Sequence, residues 1–182
     1  MTAARTKPKA TVAGGGPKLD FEAVYRANIT VVSAFFARRC REPQEVADLT
    51  SQTFVEAIRS AHTYRGRGTP RAWLIAIARA VYAQRCEAAS QSSALVDALG
   101  GRLELAQDEL EDLTERIDAQ RDGRELLLGA QNLSELEREA IELVDLAGLT
   151  PGEAAQVIKV SANVLRVRLF RAHSKLRKEL KR

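Results

Sequence analysis

The 182-residue sequence has few of the residues that build disulfide scaffolds, metal sites and β-sheets. It contains two cysteines, two histidines and one tryptophan, and only 5% of its residues are aromatic. Cys40, His62, Cys86 and His173 stand singly, without the paired spacings that zinc sites use. These scarcities argue against a metal centre, and they favour free thiols over a disulfide framework.

Long apolar runs and catalytic signatures are also missing. No run approaches the roughly 20 apolar residues of a membrane span, and the N-terminus lacks the apolar core of a signal peptide. We therefore expect a cytoplasmic protein without membrane contact. The sequence contains no phosphate-cradling Gly-x4-Gly-Lys-Ser/Thr, no nucleophile elbow and no His-Glu-x2-His. An enzyme is therefore the least supported class, and we expect no cofactor.

The residues that are abundant favour helices. Ala, Leu, Arg and Glu dominate a sequence that is 45% hydrophobic and 29% charged, which predicts an all-α fold. The net charge of +4 is unevenly distributed. From Lys159 to Arg182, nine Lys or Arg face the single Glu179, a net of +8, whereas Glu104 to Asp118 carries seven acids against Arg116, a net of −6. The basic end suits a polyanionic partner.

The chain divides into four predicted segments. Residues 1–18 form a disordered basic tail, 19–87 a first helical domain, 88–121 an acidic linker and 122–182 a second helical domain. In the first domain, apolar spacing predicts a helix from Leu19 to about Cys40 and a second that begins at Pro43. Thr69 as N-cap and Pro70 at the first helical position predict a third helix that runs to about Glu87.

The second domain carries two capping-box patterns, Ser134 with Glu137 and Thr150 with Glu153. We expect the first to start a helix that ends near Gly148, and Ser161 to start a long helix that reaches about Leu180. A core-facing stripe on that last helix contains Leu165, Leu169, Ala172, Leu176 and Leu180.

Residues 149–172 have the layout of a helix-turn-helix, whose second helix fits the major groove of DNA. Asn163, Arg166 and Arg168 are the candidates for base or phosphate contact, and Arg171 and Lys175 are candidates for the DNA backbone. The alternative is a merely solvated basic face. Two large apolar residues, Val167 and Phe170, lie away from the core stripe, so they suit contact with the first domain or a protein partner.

Two stretches of the chain resemble one family. Residues 133–140, 148–155 and 164–172 are similar to the fourth conserved region of sigma factors. Asp48-Leu49-Thr50 with Phe54, the loop from Tyr64 to Pro70, and residues 71–79 resemble the second conserved region of the extracytoplasmic-function (ECF) sigma class. The matches occur in the family's order, which makes them stronger together than either alone.

The resemblance implies an initiation factor that binds the clamp and flap of core RNA polymerase and promoter DNA. The first domain would capture the minus-ten element and the second would bind the minus-thirty-five element. An anti-sigma protein that holds the factor inactive is common in the class, and the sequence does not decide whether one exists here. The implied polymerase-binding positions are Asp48, Leu49, Ser51, Gln52 and Phe54, of which Phe54 also suits the core.

The loop between the second and third helices is the candidate for strand capture. Its glycines, Gly66 and Gly68, permit close backbone approach, and its arginines supply positive charge. Tyr64 is a candidate stacking group for an extruded base, whereas Trp73 suits the core. The implied minus-ten residues are Tyr64, Arg65, Arg67, Arg71, Gln84 and Arg85.

The sequence departs from the family pattern at several positions. The third helix has Ala80, Gln84 and Glu87 where the family usually has Asn, Asp and a basic residue, and the turn glycine of the helix-turn-helix is Lys159. These departures keep a second hypothesis open, a sigma-like DNA-binding regulator or adaptor without initiation activity. The acidic linker also has two interpretations, a nucleic-acid mimic within polymerase or a solvated spacer.

Overall fold

The computed structural model describes residues 19–92 and 133–179, and every regular element within these ranges is helical. The predicted all-α class is therefore confirmed. A short 3-10 turn, Ala61–Thr63, lies between the second and third helices, and a π-helical turn, Glu142–Leu146, follows the fourth. The helices are α1 (Phe21–Ala37), α2 (Pro43–Arg59), α3 (Pro70–Ser92), α4 (Glu135–Ile141), α5 (Pro151–Val157) and α6 (Ala162–Glu179).

Local capping chemistry sets most helix starts where the sequence predicts them. The Thr69 hydroxyl accepts a hydrogen bond from the Ala72 amide at 3.3 Å at the start of α3. Both predicted capping boxes are present, with Ser134 at α4 and Thr150 at α5. These bonds satisfy amides that the first helical turn cannot pair internally, so a few residues decide where each helix begins.

Two helix ends differ from the prediction. The first helix ends at Ala37 rather than near Cys40, because the chain must turn before Pro43, and Arg38 already serves as the C-cap. The third helix continues past Glu87 to Ser92. The reason is that Ala88 to Ser92 contains neither Gly nor Pro to stop it.

The first three helices form a bundle around a buried aromatic and aliphatic core. Phe36, Val46, Leu74 and Ile75 are completely buried, and Phe35 is nearly so. Each such side chain contributes about 1.5–3 kcal/mol relative to exposure. Trp73 is half-buried and packs against this core, as predicted. The bundle therefore holds the loop between α2 and α3 at its surface.

The last three helices bury the predicted stripe. Leu165, Leu169 and Ala172 are buried in α6, and Leu176 is partly buried, which confirms the periodicity argument. Leu180, the tail, the acidic stretch and the predicted domain start at residue 122 lie outside the described residues. Among the described helices none is long and apolar enough to cross a membrane.

Candidate nucleic-acid interface

Helices α5 and α6 form the predicted helix-turn-helix. Ala154 and Ala155 of α5 are buried against α6, and their small side chains let the two helices approach closely. The Ser161 hydroxyl caps α6 by accepting a hydrogen bond from the Val164 amide at 3.3 Å. The N-terminal turn of α6 is thereby fixed relative to α5, as a recognition helix requires.

The turn between these helices is a Schellman motif with a lysine at its left-handed position. The Val160 amide donates to the Ala155 carbonyl at 3.0 Å, and the Lys159 amide donates to the Gln156 carbonyl at 3.2 Å. Lys159 has φ 56°, a conformation that glycine adopts without steric cost. The lysine that replaces the family's glycine therefore keeps the turn geometry at a cost in stability.

We expect Lys159→Gly to raise the free energy of unfolding by about 0.5–1 kcal/mol. A residue with a Cβ in the left-handed conformation costs about 1–2 kcal/mol, and glycine removes this strain. Glycine also gives the unfolded chain more conformational freedom, which offsets part of the stabilisation. Urea unfolding followed by circular dichroism measures the change. Lys159→Ala is the matched control, because it removes the charge but keeps the Cβ, and it should change stability little. A destabilised glycine variant would contradict the strained turn.

The first turn of α6 presents two of the predicted contact residues to solvent. Asn163 and Arg166 are exposed, and Arg166 Nη1 donates to Asn163 Oδ1 at 3.1 Å. Arg171 is exposed further along the helix, whereas Arg168 is half-buried. Lys175 points elsewhere, because its Nζ bonds Glu137 Oε2 at 2.7 Å. An amide and two arginines thus remain available to base edges and phosphates.

Large apolar groups share the exposed side of α6. Phe170 is 75% exposed and Val167 48%, and neither belongs to the buried core. Val164, also exposed, lies one turn before Val167. These exposed apolar side chains therefore suit contact with another macromolecule.

The loop between α2 and α3 exposes Arg65 and Arg67, as its candidate role requires. Gly66 and Gly68 have φ values of 70° and 85°, so glycine is needed at both turns of this loop. Tyr64, the candidate stacking group, is buried. Its ring lies 5.3 Å from that of Trp73, and its hydroxyl donates to the Gly68 carbonyl. It shapes the loop from beneath and offers no stacking face in this conformation.

The remaining minus-ten candidates are differently placed. The Arg71 guanidinium bonds Asn28 Oδ1 at 3.3 Å and the Ala147 carbonyl at 3.4 Å, so it bridges the two regions. Arg85 pairs with Glu45 at 3.0 Å. Gln84 is exposed on α3. Arg71 and Arg85 are therefore engaged with other parts of the protein, whereas Gln84, Arg65 and Arg67 are exposed.

The candidate polymerase surface on α2 is partly core. Asp48, Ser51 and Gln52 are exposed, but Leu49 and Phe54 are buried, so their side chains are not available to a partner in this structure. Three exposed apolar residues on α1 and α2 were not predicted as part of this surface. They are Tyr25, Val55 and Ile58. The signal for them is that apolar residues on these two helices cover more than the core-facing side.

Two glutamates of the second region accept hydrogen bonds that lower their pKa. Glu137 is buried, and the hydrogen bond from Lys175, followed by that from the Ser134 amide, lowers the pKa of its carboxyl. Glu153 has its pKa lowered to about 2, first by a side-chain hydrogen bond from Thr69. Both carboxylates are therefore charged at neutral pH, and their stabilising contribution is present above the ordinary value of 4.5 and lost as the pH falls through the lowered pKa.

Charged residues that the sequence does not single out join the two regions. Arg39 pairs with Glu142, and Arg79 pairs with Glu139 and donates to the Val157 carbonyl at 2.9 Å. The Thr69 amide donates to Glu153 Oε1 at 2.9 Å. No sequence signal identifies these pairs, since isolated charges on amphipathic helices usually face solvent.

Comparisons with known proteins identify sigma-factor regions in both parts of the chain. Residues 24–91 match the model of Sigma-70 region 2, and residues 124–176 match that of Sigma-70 region 4. The chain is 31% identical over 158 residues to the ECF RNA polymerase sigma factor SigK of Mycobacterium ulcerans (strain Agy99), covering 85% of this chain and 82% of that protein. It is 30% identical over 138 residues to the ECF RNA polymerase sigma factor SigC of Mycobacterium tuberculosis (strain CDC 1551 / Oshkosh), covering 71% and 66%.

Two solved structures share the fold. The sigma factor RpoE of Bartonella quintana, solved with the anti-sigma factor NepR, superposes with a TM-score of 0.61 at 21% identity, over 89% of this chain and 97% of that one. CnrH, solved with the cytosolic domain of CnrY, gives a TM-score of 0.55 at 20% identity, over 88% and 87%. With both regions matched in order, the chain belongs to the ECF family of RNA polymerase sigma factors.

Proposed function

We propose that this sigma factor binds core RNA polymerase, places α6 on the minus-thirty-five element and uses the loop from Arg65 to Arg71 to hold the opened minus-ten strand. The observation that carries the proposal is the presence, on one chain, of a capped recognition helix with exposed Asn163 and Arg166 and of a glycine-containing loop with exposed Arg65 and Arg67. Charge supplies affinity at both places, and the amide and guanidinium of α6 read base edges.

Polymerase binding is assigned to the exposed side of α1 and α2. Asp48, Ser51 and Gln52 supply polar contacts, and Tyr25 and Ile58 supply apolar area. Leu49 and Phe54 support that surface from the core, where the Phe54 ring lies edge-on to Tyr25 at 4.7 Å. The exposed residues Val167 and Phe170 of α6 suit the polymerase flap.

The chain contributes no catalytic step in this proposal, because RNA synthesis belongs to polymerase, and it acts in the cytoplasm. An anti-sigma factor is a further proposed partner, since RpoE of Bartonella quintana was solved with one.

Run-off transcription tests the proposal. Core polymerase with this protein should give a defined transcript from a cognate promoter, and core polymerase alone should give none. Templates selected from genomic fragments by the assembled holoenzyme supply the promoter. A protein that fails to bind core polymerase would refute the proposal.

The second candidate is a DNA-binding adaptor that does not open the duplex. It is favoured by Ala80, which is exposed on α3 where the family usually has Asn, and by Gln84 and Glu87. Such an adaptor would bind duplex DNA through α6 yet leave thymines in the minus-ten region unreactive to permanganate. Permanganate reactivity that depends on both the protein and polymerase would exclude it.

A further inference from the structure

The two cysteines of the chain both belong to the first region, and neither takes part in the proposed function. Cys40 follows the end of α1 and is buried, with only 4% of its surface exposed, whereas Cys86 is exposed on α3. Helices α1 and α3 pack against each other, and both thiols are free. An exposed thiol close to a second, resolving cysteine is typical of proteins that respond to oxidants.

One contact across the bundle links the chain around Cys40 to the turn of α3 that carries Cys86. The guanidinium of Arg39, the residue before Cys40, lies 5.9 Å from the ring centroid of Tyr82. Tyr82 precedes Cys86 by one helical turn, so the two share a face of α3. Burial, and then a hydrogen bond with the Cys86 thiol, raises the pKa of the Tyr82 hydroxyl. The two cysteines therefore lie where the end of α1 meets α3.

Glu45, near the start of α2, contacts the surroundings of both thiols. Its Oε1 lies 3.0 Å from Nε of Arg85, the residue before Cys86. Burial, the charge of Glu45 and a hydrogen bond to its carboxylate raise the pKa of Cys40 to about 12, and the nearby Cys86 adds to this shift. The thiolate is the reactive form of cysteine. Cys40 is therefore shielded and protonated, and it has a carboxylate beside it that can accept its proton.

We propose that Cys40 and Cys86 form a thiol pair that a hydroperoxide converts to a disulfide, in which Cys86 reacts first, Cys40 resolves the product and Glu45 accepts the Cys40 proton. The order follows from access, because an oxidant in solution meets the exposed sulfur before the buried one. Disulfides in a reducing cytoplasm are usually transient and serve catalysis or redox sensing. Two free thiols in contact surroundings suit such a reversible bond.

The chemistry balances in two steps. The Cys86 sulfur attacks one peroxide oxygen, so that an S–O bond forms and the O–O bond breaks; the Cys86 proton goes to the leaving alkoxide, which departs as an alcohol. The Cys40 sulfur then attacks the sulfenic acid at Cys86, forming the S–S bond and breaking the S–O bond. Glu45 passes the Cys40 proton to the departing hydroxide, which leaves as water. The two thiols are oxidised by two electrons, and the peroxide is reduced by two.

The disulfide changes the part of α3 that carries two minus-ten candidates, because Gln84 and Arg85 directly precede Cys86. A disulfide holds its two Cβ atoms about 3.5–4.5 Å apart. Joining the sulfurs therefore fixes this turn of α3 against the end of α1 and restricts how Gln84 and Arg85 meet DNA. We expect oxidation to lower transcription, a consequence that rests on the proposed function.

Peroxide treatment of the reduced full-length protein tests the pair without polymerase or DNA. Mass spectrometry should show the loss of two hydrogens and a peptide that links Cys40 to Cys86, and a dithiol should reverse both. Cys40→Ala should stop at the Cys86 sulfenic acid, which dimedone traps, and Cys86→Ser should leave Cys40 unreacted. A dimer linked through Cys86 in place of the internal disulfide, or oxidation of Cys40 in Cys86→Ser at the wild-type rate, would overturn the proposal.

Glu45→Gln separates the two steps. Formation of the sulfenic acid should keep its rate, whereas closure of the disulfide should slow by about tenfold or more, because the amide accepts no proton. The control, Glu56→Gln, removes a carboxylate of the same helix that pairs with Arg59, and it should leave both rates unchanged. Disulfide closure at the wild-type rate in Glu45→Gln would show that Glu45 is not the base.

Run-off transcription tests the consequence. Protein that is oxidised, freed of peroxide and then mixed with core polymerase should give several-fold less transcript, which a dithiol restores, while Cys86→Ser should be insensitive to the treatment. A disulfide that forms in a protein that never supports transcription would refute the proposed function alone. Transcription without any Cys40–Cys86 disulfide after peroxide would refute the thiol pair alone, and a disulfide that leaves transcription unchanged would refute its effect on α3.

Discussion

Replacing Arg166 with alanine is expected to weaken binding to a cognate minus-thirty-five duplex by about 10- to 100-fold and to relax sequence preference at one base position. A bidentate contact to a base edge contributes about 1–3 kcal/mol of discrimination. Arg166 is exposed in the first turn of α6, held beside Asn163, where recognition helices contact bases. Fluorescence anisotropy with cognate and scrambled duplexes at fixed salt measures the effect.

Two other arginines provide the comparison. Arg171→Ala should weaken cognate and scrambled duplexes equally and reduce the slope of log affinity against log salt by about one, as expected for a phosphate contact. Arg26→Ala removes an exposed arginine from α1, which pairs with Glu22 of the same helix, and should leave affinity nearly unchanged. If Arg166→Ala weakened both duplexes to the same extent, base readout by this residue would be wrong.

Leu165→Ala is expected to destabilise the protein by about 2–5 kcal/mol and to abolish duplex binding. Leu165 is completely buried on the core side of α6, where truncation loses apolar burial and leaves a cavity. Losses of this size are comparable to the whole stability of a small domain. Chemical unfolding by circular dichroism measures the change, and anisotropy measures DNA binding.

Val167→Ala, two residues along the same helix, is the matched control. Its side chain is 48% exposed, so its truncation should change the free energy of unfolding by no more than about 0.5 kcal/mol. Equal destabilisation by the two substitutions would contradict the assignment of the buried and exposed sides of α6.

The candidate site was predictable from the sequence where residues nearby in the chain decide whether a side chain is exposed. The spacing of Leu165, Leu169 and Ala172 identified the core side of α6 and left Asn163 and Arg166 outside. The sequence did not predict the position of a side chain that binds a partner far away in the chain. Lys175 looked like a backbone-contacting cation, yet it bonds Glu137 across 38 residues of sequence.

The first region shows the same division. The glycines and arginines of its loop predicted a turn with exposed charge, and Arg65 and Arg67 are exposed. Tyr64 lies in the same stretch, but its ring packs beside Trp73 and under the loop. An aromatic residue next to a loop suits both a buried position beneath the loop and an exposed position at its surface. Only the tertiary packing decides which of the two it occupies.

From its sequence alone, this protein's helical class, its helix starts and its two regions could be determined, because capping bonds and apolar periodicity depend on residues within about one turn of one another. Only the tertiary structure decided that the regions meet through Arg39–Glu142 and Arg79–Glu139, pairs separated by 103 and 60 residues. Such pairs depend on how the helices are placed in space. A charge that is shielded between the two regions has the same sequence signature as one that is solvated.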